Sequence, residues 1–229
     1  MHPRKEVLDH PSATRQVEYA TVECPADCGP AWNLQHIVSA LQHGPHKSAL
    51  KSKALEALHT EVDEKVKQGY AKIIQWKDIK NNLPKNFKVS PVAMIPHKTR
   101  SYRTILDLSF NLMIDGKKLP SVNECTIPTA PQHSMKELGR VLERLVSLMA
   151  VAPSNSPDFR FSKLDIKDGF SRVKVTEQDS WIFCYVLPPK IINGNVSLDD
   201  IRIVVPDSLQ MEWTESPSFS ALRQKRQET

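Results

Sequence analysis

Leu50, Ala54, Leu58, Val62 and Val66 are apolar residues spaced four apart, and that spacing constrains the backbone more than any other feature of the chain. At 3.6 residues per turn it gathers them on one side of a helix, whereas a strand, with its period of two, has no reason to space them so. Glu61 stands four residues before Lys65 as a supporting pair, and Gly69 offers a stop. A second helix is predicted where Ser134-Met-Lys-Glu137 forms a capping box ahead of Leu138, Val141, Leu142, Leu145 and Met149. A strand-like run, Val92-Ala-Met-Ile95, lies between the two. Beyond the loop at Pro153 and Pro157 come short strand candidates at 159–166, 172–175, 181–187 and 201–205, with Asn193-Gly194 suited to a hairpin between the last two. Helix, strand, helix and antiparallel meander make an α+β fold, an antiparallel sheet packed on helices. Residues 1–45 lack a sustained period and read as a poorly ordered tail with one short helix near 34–41; the folded unit is expected over 46–229.

A chain of 229 residues can bury one good core, and 40% hydrophobic with 25% charged residues fits an ordinary globular protein. No apolar run is long enough to span a bilayer, and the start does not lead into a signal peptide, so an intracellular protein with no membrane partner is expected. The net charge of +5 is unevenly spread: between Lys47 and Lys118 stand 15 Lys/Arg against 7 Asp/Glu, a local +8, and the remainder sums to −3. Such a basic half suits a protein that grips a polyanion with one face; the plainer reading is that Lys-rich helices are simply solvated. Cys24, Cys28, Cys125 and Cys184 are expected as free thiols. Cys24 and Cys28 with His36 downstream raise the possibility of a zinc site, although the spacing fits no standard finger.

Three stretches carry candidate chemistry. Phe161-Ser-Lys-Leu-Asp165-Ile-Lys-Asp168-Gly-Phe170 ends a strand candidate on a carboxylate, then adds a glycine turn and an aromatic ring five residues on. That places one metal ligand beside a flat apolar wall, an arrangement useful in metal-assisted phosphoryl chemistry. An Asp ending a strand also serves as a turn former or helix cap. Upstream, Ser90-Pro-Val-Ala-Met-Ile-Pro-His-Lys98-Thr-Arg100-Ser-Tyr-Arg103-Thr-Ile-Leu-Asp107 sets cations between two strand-like runs. Downstream stands Ser208-Leu-Gln210-Met-Glu-Trp213-Thr-Glu-Ser216-Pro217.

Taken in this order, the three stretches resemble the fingers and partial palm of a reverse transcriptase, an RNA-directed DNA polymerase of retrotransposon type, over roughly residues 46–220. The resemblance implies fingers at about 46–150 and partial palm at about 158–229, with a template-primer and a deoxynucleoside triphosphate as partners. It implies triphosphate contacts for Lys98 and Arg103, with Asp107 anchoring the finger hairpin. Asp165 would be the catalytic carboxylate and a magnesium ligand, with the Ile166 carbonyl nearby. Phe170 would be the steric gate, and Gln210 would touch template or nucleotide. Trp213, Ser216 and Pro217 would contact the template, the last two opening a helix behind it. Other readings stand beside these: a surface salt bridge from Arg103 to Asp107, and a plain core ring for Phe170.

The sequence departs from that family in two places. Glu212 stands where glycine is usual, and the match needs one extra residue after Gln210; a carboxylate there would repel a triphosphate. The family's Tyr-x-Asp-Asp hairpin is absent from these 229 residues. Leu198-Asp199-Asp200 precedes the second palm motif and is expected to be a loop. The expectation is therefore a truncated reverse transcriptase domain with an incomplete carboxylate set, inactive alone. The alternatives are a non-catalytic nucleic-acid-binding module of the same ancestry, or a small metal-binding protein built on Cys24, Cys28 and His36.

Overall fold

The computed structural model describes residues 23–98, 101–130, 140–151, 168–190 and 197–225. It is a mixed α/β arrangement of small antiparallel sheets and a few helices, as the α+β expectation requires. The continuous apolar run Ile203-Val-Val205 explains its centre. A strand with no polar face must be covered on both sides. That strand, β7 (Arg202–Pro206), is the middle of a three-stranded sheet between β1 (Ala71–Gln75) and β6 (Tyr185–Leu187). Both pairings are antiparallel, running Ala71↔Pro206 to Gln75↔Arg202 on one side and Tyr185↔Val204 to Leu187↔Arg202 on the other.

Strand alternation divides this sheet's side chains between two cores. Val204, Tyr185, Leu187 and Ala71 face one, with Ala54, Leu58 and Val62 of helix α2 (Ser52–Lys67). Ile203, Val205 and Val186 face the other, with Ile37, Ala40 and Leu41 of α1 (Leu34–His43). The four-residue spacing therefore gives the expected helix, and its Glu61–Lys65 pair forms at 2.7 Å. Gly69, at φ 72°, reverses the chain so that Tyr70 N–H reaches the Lys65 carbonyl (2.8 Å) and β1 can begin. Leu50 and Val66, at the two ends of the spacing, are exposed.

Two hairpins flank this sandwich. One joins β2 (Val92–Pro96) to β3 (Tyr102–Leu106). The other joins β4 (Leu112–Ile114) to β5 (Lys117–Leu119) through Asp115 and Gly116, both left-handed at φ 48° and 73°. Consecutive left-handed residues match the twist of the strands they join, and Asp-Gly is a pair that tolerates them. Two four-residue helices, α3 (Trp76–Ile79) and α4 (Val122–Cys125), close loops, the second with the capping box Ser121–Glu124.

Several sequence expectations are corrected. Residues 23–45, expected in a poorly ordered tail, pack against the rest of the chain. Cys24, Ala26 and Cys28 are buried, Cys24 N–H donates to Lys174 O (2.8 Å), and α1 covers a sheet face, so residues 23–45 belong to the folded structure. The 181–187 candidate is divided: 181–183 belong to a 3-10 turn, Ser180–Phe183, and its second half is the bridge at Cys184 and the short β6, while 172–175 contributes isolated bridges, not a strand. β6 and β7 do pair, but through a long connection, and Asn193-Gly194 lies outside the described residues. So do the 159–166 candidate and the Ser134–Glu137 capping box. Its helix is present as α5 (Val141–Val151), with Leu142 and Met149 exposed.

Asp179 holds the N-terminal segment down. Its carboxylate accepts from Ala26 N–H (3.0 Å), Thr176 Oγ1 (2.6 Å) and Asn86 Nδ2 (2.9 Å). Asp179→Ala strands those donors, and urea unfolding should register a loss of about 2–4 kcal/mol. His59 yields a pH prediction. It is buried on α2 with Nε2–H donating to Pro188 O (2.9 Å), and burial, with Arg202 and Lys190 nearby, holds its pKa below the ordinary 6.5. The unfolded chain then binds the proton first, so stability should fall as pH drops from 6.5 through the lowered value, then level off. His59→Gln should remove that component from unfolding midpoints measured across the window.

Candidate functional site

The β2–β3 hairpin is fixed at its base. Asp107 N–H donates to Pro91 O (2.9 Å) at the base of the hairpin, and the Asp107 carboxylate accepts from Ser109 N–H (3.1 Å) in a local turn. Arg103 is directed to Met211 and Glu212. Thr104 Oγ1 donates to Glu61 (2.6 Å), tying β3 to α2. Arg103, paired with Ile95 across the hairpin, presents an exposed guanidinium; Lys98 is exposed at the tip, next to positions 99 and 100, which lie outside the described residues.

The second candidate loop is carried in by β7. Beyond Pro206, Asp207 N–H returns to Tyr70 O (3.0 Å) and Leu209 N–H to Val173 O (2.9 Å), so the chain keeps pairing while it turns. Trp213 then anchors it. The ring is 1% exposed, stacks on Phe219 at 5.9 Å, meets Phe183 edge-on at 5.3 Å, and donates through Nε1 to Thr126 Oγ1 (3.0 Å). Ser216 Oγ donates to Gln210 O (2.6 Å), and Gln210 Nε2 to Ser208 O (2.8 Å). Asn123 holds both sides of the bend, donating to Glu212 O (2.9 Å) and accepting from Thr214 N–H (3.1 Å). A helix, α6 (Ser216–Lys225), begins at Ser216-Pro217.

These contacts sort the residues read from sequence. Trp213 and Ser216 are buried, and their side chains hold the loop. Pro217 is exposed. Gln210 is half-buried with its amide directed back onto its own loop. Met211 and Glu212 are exposed, and they meet the β2–β3 hairpin. The Arg103 guanidinium contacts Met211 Sδ and lies 3.8 Å from a Glu212 carboxylate oxygen. Residues 103 and 211 are 108 positions apart in sequence. Asn123 and Thr126, which frame this meeting, were missed. Their signal was Ser121-x-x-Glu124, a capping box one turn long.

Asp165 and Ile166 lie outside the described residues, and the chain resumes at Asp168. The left-handed residue of this turn is Asp168 (φ 56°), not the glycine after it. Aspartate tolerates that region through its short polar side chain. Phe170 follows on a 3-10 turn, half-buried against the first core, so its ring is in part the core ring of the alternative reading. Val173 N–H donates to Phe170 O (3.1 Å), and Val173 O accepts from Leu209, which joins the Phe170 turn to the Gln210 loop. Burial works to lower the Lys65 pKa, but Tyr185, Glu61 and Asp168 beside it hold it above its ordinary value. The Tyr185 phenol is pushed up to about 12 by burial.

Among the described residues no group of three or more His, Cys, Asp and Glu is placed to hold a metal ion. Cys24 and Cys28 are buried, Cys28 Sγ lies 3.4 Å from Thr126 Oγ1, and burial raises its thiol pKa. Leu198–Asp200 is a 3-10 turn whose Asp199 carboxylate takes Lys80 Nζ at 2.8 and 3.0 Å, a loop as expected. No described helix is long and apolar enough to cross a membrane. No protein-family model matches the chain, and a search of curated proteins finds no match.

Tyr185 Oη is buried, and among the described residues it has no hydrogen-bond partner. Tyr185→Phe removes an unmet donor at constant shape, so unfolding should show stability unchanged or raised by up to about 1 kcal/mol. A clear loss would reveal a partner for the hydroxyl.

Proposed function

We propose that this chain carries the fingers and part of the palm of a reverse-transcriptase-like polymerase, and that by itself it binds nucleic acid without extending a primer. One observation supports this reading above the rest: the finger hairpin and the Gln210–Pro217 loop, far apart in sequence, converge at Arg103. A nucleotide-handling cleft needs such a meeting, with a permanent guanidinium whose fork suits phosphate oxygens beside a rigid loop. Lys98 at the hairpin tip adds a second cation on the same element.

Catalysis is another matter. In-line phosphoryl transfer by two metal ions needs several carboxylates, and the reading supplies only Asp165, with the Ile166 carbonyl, from the first palm motif. Asp199 is spent on Lys80, so the Asp199-Asp200 pair does not fit as a replacement. Magnesium would activate a primer hydroxyl in an intact site. Phosphate attraction needs only charge, and the exposed cations of 47–118 supply that to the polymerase reading and to the binding-module reading alike.

Titration of a labelled oligonucleotide at several salt concentrations tests the binding. Affinity is expected on the order of micromolar or weaker at physiological salt, indifferent to sequence, falling steeply as salt rises. Lys98→Ala should weaken it modestly and lower the salt slope by about one unit. Salt-independent binding, or none at low salt, would reduce the basic stretch to a solvated surface. In primer-extension assays the purified chain is expected to be inactive with magnesium or manganese, and any extension abolished by Asp165→Ala would overturn that half of the reading.

A further inference from the structure

The geometry points to Glu212 as a specificity-determining residue that competes, as a built-in anion, with phosphate for Arg103. This rests on the phosphate-binding role given to Arg103 above, and adds a regulator to that site. Three observations support it. The Glu212 carboxylate lies 3.8 Å from the Arg103 guanidinium, on the side where the hairpin faces the loop. Its main chain is fixed, since Asn123 donates to the Glu212 carbonyl at 2.9 Å and accepts from Thr214 N–H at 3.1 Å, so the carboxylate is presented by a rigid bend. Trp213, buried immediately after it, allows that bend little movement.

An incoming phosphate must displace this carboxylate or share the guanidinium with it. Either way a weakly charged or singly contacting anion is rejected, and a ligand bearing several phosphates is retained. The shared ligand chemistry is a run of phosphate oxygens, supplied by a triphosphate or by a nucleic-acid backbone. The pair is half-exposed, so its competition is modest and screened by salt.

The test uses the full chain and four forms: wild type, E212Q, R103A and R103A/E212Q. Tripolyphosphate is titrated by calorimetry, and a fluorescein-labelled single-stranded oligonucleotide by anisotropy, both at low salt. Glu212 is exposed at the outer bend and its carbonyl contact is main-chain, so E212Q keeps the fold. E212Q should tighten binding by about three-fold, the order expected for losing one exposed ion pair. The gain should disappear in R103A/E212Q and shrink at high salt. A gain with tripolyphosphate alone assigns the site to triphosphate-bearing ligands, and a gain with the oligonucleotide assigns it to backbone phosphate. If E212Q binds no tighter than wild type while R103A weakens binding in the E212Q background, the competing role of Glu212 is overturned and Arg103 stands. If R103A changes nothing in the E212Q background, or neither probe binds, the phosphate role of Arg103 falls, and this inference with it.

Discussion

The register of β7 is the constraint on which the rest depends. Its five residues pair with β1 on one edge and β6 on the other, and its alternate side chains enter two different cores. A slip of one residue would exchange Val204 with its neighbours and put every side chain in the wrong layer. The same register sets where the chain emerges after Pro206. Asp207 and Leu209 continue the pairing onto Tyr70 and Val173, and Trp213 closes the loop. The meeting of Arg103 with Met211 and Glu212 is therefore a downstream consequence of strand pairing in the sheet.

Much of this was legible in residue order. The four-residue spacing gave α2, the Val92–Ile95 run gave β2, and the uninterrupted apolar run gave β7. Other parts were hidden for physical reasons. Segment 23–45 has its apolar residues broken up by Pro25, Gly29 and Pro30 and shows no sustained period; Cys24, Ala26 and Cys28 bury small side chains beside residues 174–179. β1 alternates weakly and is only half-covered at Ile73 and Ile74, so nothing local separates it from a loop. Asp115-Gly116 was a readable turn that went unread. At the candidate site, the residue types of Lys98, Arg103 and Gln210 were visible, while the burial of Trp213 and Ser216 and the framing by Asn123 depend on partners from distant elements.

Sequence also overstated the charge asymmetry. Three cations of the 47–118 stretch reach carboxylates that lie beyond it: Lys80 to Asp199, Lys118 to Glu124 and Arg103 to Glu212. Lys88 is withdrawn altogether. It is buried, with its ammonium on the Cys28 carbonyl and 5.9 Å from the Trp32 ring, and burial lowers its pKa. The field left for a polyanion is thus smaller and more localised than a count of Lys and Arg implies, which puts greater weight on the hairpin.

The distance in sequence between β1 and β7 also sets a timetable. A ribosome adding roughly 5–20 residues per second finishes β1 on the order of ten seconds before its partner strand exists. Throughout that interval α2 and the β2–β3 hairpin can form locally, because their contacts are short-range. Ala71 of β1 can already meet Ala54, Leu58 and Val62 of α2, and α1 can meet Trp76, Phe87 and Val89, but the shared strand between the two cores is missing until β7 arrives. A nascent chain halted before Arg202 would therefore hold two half-cores with no strand between them, which makes the synthesis of β7 the step that decides between folding and capture by a chaperone.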